Sequence, residues 1–147
     1  MKQEISAGAV IIRNKAGIWE VLLIRDMKGT LTFPKGFIED GENIKETAVR
    51  EAQEETGISG LRYLADLPDV SYFYTRDGQS IRKQVHYQLF VSEKDVALTP
   101  QTEEGITEIL WMPMEQAIAC IGYEKSNQPI LLAAHAYILQ HKKEQHI

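Results

Sequence analysis

One cysteine, Cys120, stands among 147 residues. An internal disulfide is therefore excluded, and no covalent staple supports the fold. Cys120 falls in an apolar helical pattern and reads as a buried thiol, not a nucleophile. No run reaches the ~20 apolar residues that a membrane-spanning helix needs. The opening MKQEISAGAVII carries one Lys and a Glu before its apolar part. It reads as a strand and not as a signal peptide, which makes the cytoplasm the default location and gives no membrane partner. Positive charge is also short: 16 Lys and Arg face 21 Asp and Glu, for a net charge of −5. That balance argues against general nucleic-acid affinity. A polyanionic ligand would have to be drawn in by bound metal and local Lys or Arg. Internal repeats, low-complexity runs and linkers are missing too, so one domain over residues 1–147 is expected. What remains is ordinary for a globular chain: 44% hydrophobic and 25% charged residues, enough for a single core.

Ile5 to Arg13 is apolar and β-branched, with small Ala7, Gly8 and Ala9 that allow close backbone packing. Asn14 to Gly17 predicts a turn, and Trp19 to Arg25 a second strand that pairs as a hairpin. Leu31 to Phe33 predicts a short strand. Pro34, Gly36 and Gly41 then leave little room for regular structure. Further on, Leu61–Leu67 and Val70–Thr75 read as strands separated by Pro68. Asp77-Gly78 is a hairpin signal that returns the chain along Ile81–Val91. On that strand Lys83, Val85, Tyr87, Leu89 and Val91 share one face, and His86 lies on the other without an evident ligand partner. A polar loop, Ser92–Glu104, precedes a strand at Ile106–Trp111. Pro113 and Met114 open a helix with Ala117, Ile118 and Ile121 inward. The last helix is expected over Pro129–His141, capped by Ser126 or Asn127, with Ile130, Leu131, Ala134, Ile138 and Leu139 as its apolar stripe. The tail HKKEQHI is polar and is expected to fray. Strands, a helix, more strands, then helices read as α+β, or as a sheet with helices on two faces.

The stretch between these groups is the informative one. Asn43 is a good N-cap and Glu46 completes a capping box. Gly57 is the expected left-handed C-cap. Ile44, Ala48 and Ala52 form one buried stripe. Glu51, Glu54 and Glu55, at i, i+3 and i+4, share another face. Two unit charges ~4 Å apart repel by about 4 kcal/mol at an effective dielectric of 20. Carboxylates gathered in a cleft therefore call for a hard cation such as Mg²⁺ or Mn²⁺, whereas a solvated acidic face would need none. Arg50 can hold one carboxylate by a bidentate pair and so aim it.

The whole string, GFIEDGENIKETAVREAQEETGI, resembles the Nudix hydrolase box. Gly36, Glu42, Arg50, Glu51, Ala52, Glu54, Glu55, Gly57 and Ile58 fall on its fixed positions, with Ala52 small for its apolar slot. The resemblance implies an α/β/α sandwich around a mixed sheet. It implies hydrolysis of a nucleoside diphosphate linked to another group, with Mg²⁺ or Mn²⁺ held by Glu51, Glu54 and Glu55. A backbone carbonyl at Lys35 or Gly36 would add a metal ligand. Glu51 would also serve as general base, unless a later loop supplies it; Glu104 is that candidate, with Glu103 as its rival. The Lys35 side chain would meet a phosphate.

Details are similar to the asymmetric diadenosine tetraphosphate hydrolases: Pro34-Lys35 before the box, Tyr74 sixteen residues past Ile58, and Lys83 followed by Tyr87. The ADP-ribose branch tends to have a proline near Tyr74. Lys83 and Tyr87 project to one side, a phosphate contact beside a base or hydrogen-bond contact. Pro-Lys-Gly also occurs in nucleoside-triphosphate and diphosphoinositol-polyphosphate hydrolases. Nucleoside-triphosphate or ADP-ribose hydrolysis, and a non-catalytic nucleotide sensor, stay open as alternatives. So do monomer and homodimer.

Overall fold

The computed structural model describes residues 1–95 and 97–141, so the tail after His141 lies outside the described residues. Strands β1 (Lys2–Lys15) and β2 (Ile18–Arg25) form the expected hairpin. Its turn is tighter than Asn14–Gly17. Ala16 and Gly17 alone make it, at φ 52° and 89°. Two positive φ values are the turn geometry that follows strand twist, so Asn14 and Lys15 stay in the strand.

Short β3 (Leu31–Thr32) pairs with β2. Next comes β4 (Lys35–Phe37), antiparallel to β1 at Ser6–Gly8. The Pro and Gly residues predicted only a turn there. The free edge of β1 supplies pairing that local punctuation does not reveal. After α1 (Ile44–Thr56) come β5 (Leu61–Asp66), β6 (Val70–Arg76) and β7 (Gln79–Ser92). The β6–β7 turn is Asp77-Gly78, as expected, at φ 52° and 75°. Both β5 and β6 pair antiparallel with β7. The other edge of β7 runs parallel to β1, from Lys2–Ile81 to Ile12–Val91. Strand β8 (Glu108–Pro113) closes on β2 and begins two residues later than expected.

The result is a mixed eight-stranded sheet with helices on both faces. Alternation along β1 decides which residues go where. Ala7, Ala9 and Ile11 meet Ala48 and Ala52 of α1. Val10 and Ile12 belong to the opposite core, with Ala117 of α2 (Met114–Cys120) and Ile130, Leu131, Ala134 and Ile138 of α3 (Glu124–His141). Full burial of a side chain such as Ile11 or Leu22 contributes about 1.5–3 kcal/mol.

Four expectations are corrected by this packing. Helix α3 starts at Glu124 and runs through Pro129. Asn127, expected as a cap, is buried inside the helix. Its amide donates to Thr32 Oγ1 at 3.1 Å and to the Gly122 carbonyl at 2.9 Å, which ties the helix start to β3. Leu139 is half exposed, beside buried Ile138. Cys120 is exposed, because Ala117 and Ile121 take the inward face of α2. His86 does have a carboxylate partner: its Nδ1 lies 2.9 Å from Asp69 Oδ1. No helix of the described residues is long and apolar enough to cross a membrane.

Candidate active site

The site is built on α1, and its ends are set by local rules. Asn43 accepts from the Glu46 backbone N–H at 2.8 Å, and the Glu46 carboxylate accepts from the Asn43 N–H at 3.1 Å. Gly57, at φ 78°, donates back to the Gln53 carbonyl. Small Ala48 and Ala52 let the helix sit low on β1. That brings Glu51 and Glu55 against β4. A Cβ built on Gly36 would land on the Glu51 carboxylate, so glycine is what leaves room for it. The Lys35 backbone N–H donates to Glu55 Oε2 at 3.0 Å.

The β4 register also sorts the two candidate carbonyls. Ala9 N–H donates to the Pro34 carbonyl and Ile38 N–H to the Ile5 carbonyl. These bonds flank the Ala7–Gly36 pair, so Gly36 directs its N–H and carbonyl toward β1. Lys35 directs its own away from β1, toward the carboxylates.

Arg50 aims the helix carboxylates. Its guanidinium grips Glu42 with two bonds, 2.6 and 2.9 Å. It also donates to Glu51 Oε1 at 2.8 Å, Glu54 Oε2 at 3.1 Å and the Phe37 carbonyl at 3.1 Å. The Arg50 bonds pull the Glu42 carboxyl down to a pKa of about 2. Arg50 is therefore a positioning residue. Glu54 is held on its outer side and is the more exposed partner.

Glu104 arrives from a distant loop. The last carbonyls of a helix lack internal partners. The loop supplies them: Thr99 N–H donates to the Thr56 carbonyl at 2.9 Å, and Gln101 N–H to that of Glu55 at 3.3 Å. A single 3-10 turn, Thr102–Glu104, follows and delivers Glu104. Carboxylate oxygens of Glu51, Glu55 and Glu104 lie within 4.8 Å of one another. Glu54 and Glu103 are not part of this group.

Glu55 is 7% exposed. Burial, then the Glu51 charge, push its carboxyl up to about 9, against the opposing Lys35 N–H. Burial also raises the Glu51 carboxyl, with Arg50 opposing. Three crowded oxygens, one charge strongly disfavoured by burial, fit a hard divalent cation.

A cavity of about 570 Å³ opens beside Glu55 and Glu104. Lys35, Phe33, Tyr72, Tyr87 and Tyr123 are among its walls. Burial and then the nearby Lys83 charge lower the Lys35 ammonium pKa. The other expected substrate residues divide. Tyr87 lines the cavity but is nearly wholly buried, edge-on to Phe33 with ring centroids 5.5 Å apart. A Cβ on Gly8 would approach the Tyr87 ring to 2.6 Å, so that glycine lets the ring lie on β1. Lys83 places its ammonium 4.8 Å from the Phe37 ring centroid. Tyr74 donates its hydroxyl to Glu4 and is not a cavity wall.

Sequence reading missed Tyr123 and Asp26. Tyr123 sits at φ 51°, uncommon for a side chain of this size. Its hydroxyl donates to Asp26 Oδ2 at 2.6 Å, and Asp26 Oδ1 accepts from the N–H groups of Lys28 and Thr30. No local pattern signals a contact between residues that far apart in the chain.

A family model described as the NUDIX domain matches residues 2–134. The protein MutT4 of Mycobacterium tuberculosis is 32% identical over 133 residues, covering 82% of this chain and 50% of that protein. Nudix hydrolase 16, mitochondrial, of Arabidopsis thaliana is 33% identical over 106 residues, covering 67% of this chain and 56% of its own length. The chain thus spans about half the length of these relatives. A crystal structure of Caenorhabditis elegans Ap4A hydrolase superposes with a TM-score of 0.68 at 27% identity, over 94% of this chain and 99% of that one. The NUDIX domain of Shewanella oneidensis NrtR, complexed with ADP ribose, gives 0.68 at 18% identity, over 93% and 90%; that likeness is of fold alone. A match across this share of the sequence, to a family whose box it reproduces at every fixed position, shows that the chain belongs to the NUDIX domain family.

Proposed function

We propose that the protein hydrolyses the pyrophosphate linkage of a nucleoside diphosphate joined to another group, with Mg²⁺ or Mn²⁺ and with diadenosine polyphosphates as the leading substrates. The gathering of Glu51, Glu55 and Glu104, the last two lining a cavity that Lys35 also lines, carries this reading. Glu51, Glu55 and Glu104 would hold the ion, joined by the Lys35 carbonyl in preference to that of Gly36. The bound ion supplies charge neutralisation at phosphate oxygens and acidifies water.

The remaining work falls to the chain. Arg50 fixes Glu51 so that its oxygens need no reorganisation during the reaction. Glu104, the exposed member of the group, is free to accept a proton from the attacking water; Glu51 is the alternative base. Lys35, on β4, meets a phosphate flanking the scissile bond. Tyr72 and Tyr123 lie on the cavity wall and provide flat faces for a base, with Asp26 holding Tyr123 in place. Lys83 reaches the phosphate chain further out. The structural likeness to an Ap4A hydrolase supports the substrate class.

The test is a nucleotide panel with Mg²⁺ or Mn²⁺ and identification of products. ATP plus AMP from diadenosine tetraphosphate supports the assignment. A strong preference for a nucleoside triphosphate or ADP-ribose overturns the substrate, and nucleotide binding with no turnover overturns the activity.

A further inference from the structure

Besides Glu55, one other carboxylate residue is buried among the described residues: Glu4, on β1. It accepts from the Tyr74 hydroxyl and from the Arg76 guanidinium, the latter at 2.8 Å. It also stands opposite Lys83 in the β1–β7 register. Lys83 in turn faces Tyr72 on β6. Strand alternation puts these side chains on the same sheet face as Val85 and Tyr87, which line the cavity. Tyr72 also lines it, so this face begins where the cavity ends. Phe37 borders the face from β4, 52% exposed, with the Lys83 ammonium against its ring. Lys83 and Arg76 flank the Glu4 carboxylate on this face, while Lys2, Glu39 and Asp40 lie around Phe37 at its rim. A row of cations therefore leads outward from the acidic cluster, from Lys35 to Lys83 to Arg76, and an exposed aromatic ring lies beside it.

We propose that this face is a second subsite, for the group beyond the scissile linkage, and that it takes a second nucleoside attached through phosphate. The proposal rests on the hydrolytic reading above. A phosphate chain leaving the carboxylates passes Lys35 and meets Lys83. Phe37 then offers a flat apolar surface to a base, and stacking of this kind tolerates any base. Glu4 is the positioning residue. It holds Arg76 and Tyr74, and its charge offsets the mutual repulsion of Arg76 and Lys83. Continuity with the cavity and the succession of Lys35, Lys83 and Arg76 along the path of a phosphate chain select this occupant over an uncharged ring.

The experiment compares kcat/KM for diadenosine tetraphosphate and adenosine 5′-tetraphosphate. Both have four phosphates and one adenosine for the cavity, and the first alone carries a second nucleoside. The wild-type protein should favour it by about fivefold or more, the low end for one stacked base. Phe37→Ala should bring the ratio near one by raising KM for the dinucleotide, with kcat held. Phe37→Trp should keep the preference, and Glu4→Gln should lower it. A wild-type ratio near one, or an unchanged ratio in Phe37→Ala, overturns the subsite while hydrolysis stands. No turnover of either substrate by the wild type overturns the hydrolytic reading and the subsite together.

Discussion

Replacing Glu55 with Gln probes the acidic cluster without an activity assay. In the metal-free protein the Glu55 carboxyl is pushed up to about 9 from an ordinary 4.5, chiefly by burial. A raised carboxyl pKa means that the folded state binds the proton more tightly than the unfolded chain does. Stability therefore falls as pH rises from about 4.5 to about 9, by about 1.4 kcal/mol per pH unit at most. At pH 7.5 the penalty reaches about 4 kcal/mol, and relaxation of the cluster lowers the expected value to about 2 kcal/mol.

Gln keeps an oxygen for the Lys35 N–H and removes the charge. The variant should then melt roughly 4–8 °C above wild type in EDTA at pH 7.5, and nearly level with it at pH 5. Mg²⁺ should raise the wild-type midpoint, as any ligand of the folded state does, and leave the variant nearly unmoved. Thermal melts by circular dichroism, in EDTA and in excess Mg²⁺ from pH 5 to 9, read all of this. The reasoning fails if Glu55→Gln melts below wild type in EDTA at pH 7.5 and gains as much from Mg²⁺.

Further expectations concern the same elements. Glu104→Gln should lower kcat about 100-fold or more, the range of a lost acid–base group, while Glu103→Gln stays near wild type in the same steady-state assay. Gly36→Ala should keep its secondary structure by circular dichroism and lose at least tenfold in kcat, because the added methyl displaces Glu51. Glu42, held by Arg50 at a pKa of about 2, stabilises the fold above its ordinary 4.5 and loses that contribution as pH falls toward 2. Urea titrations of wild type and Glu42→Gln should therefore differ at pH 6 and converge near pH 2. Tyr87→Ala should cost about 3–5 kcal/mol in the same titration, since the ring is fully packed.

The helix at the heart of the site was legible because its determinants are local. Asn43, Glu46 and Gly57 act within a turn of the backbone they cap, and the spacing of Ala48 and Ala52 fixes which face is buried. Glu104 was nameable only through family resemblance; what places it is a loop bonded to the last carbonyls of α1, a tertiary fact. Alternation along β7 gave the correct face for Lys83 and Tyr87, but not that Tyr87 would be sealed in the core. Tyr74 is diverted by Glu4, seventy residues earlier in the chain. A separation of 97 residues likewise hides Tyr123, whose partner Asp26 looks like an ordinary loop acid. At the C-terminal helix a local rule misled: Pro129 read as a helix start, and the buried Asn127 contact with Thr32 carried the helix earlier.

The parallel pairing of β1 with β7 has a consequence for how the protein is made. The first strand leaves the ribosome with its long apolar run, yet its central neighbour ends only at Ser92. Synthesis at ~5–20 residues per second leaves that edge open for several seconds, long enough to pair wrongly with another nascent chain. The β1–β2 hairpin forms within microseconds and shields the opposite edge alone. Yield of soluble protein should thus depend on how fast residues 79–92 follow, more than on the final thermodynamic stability.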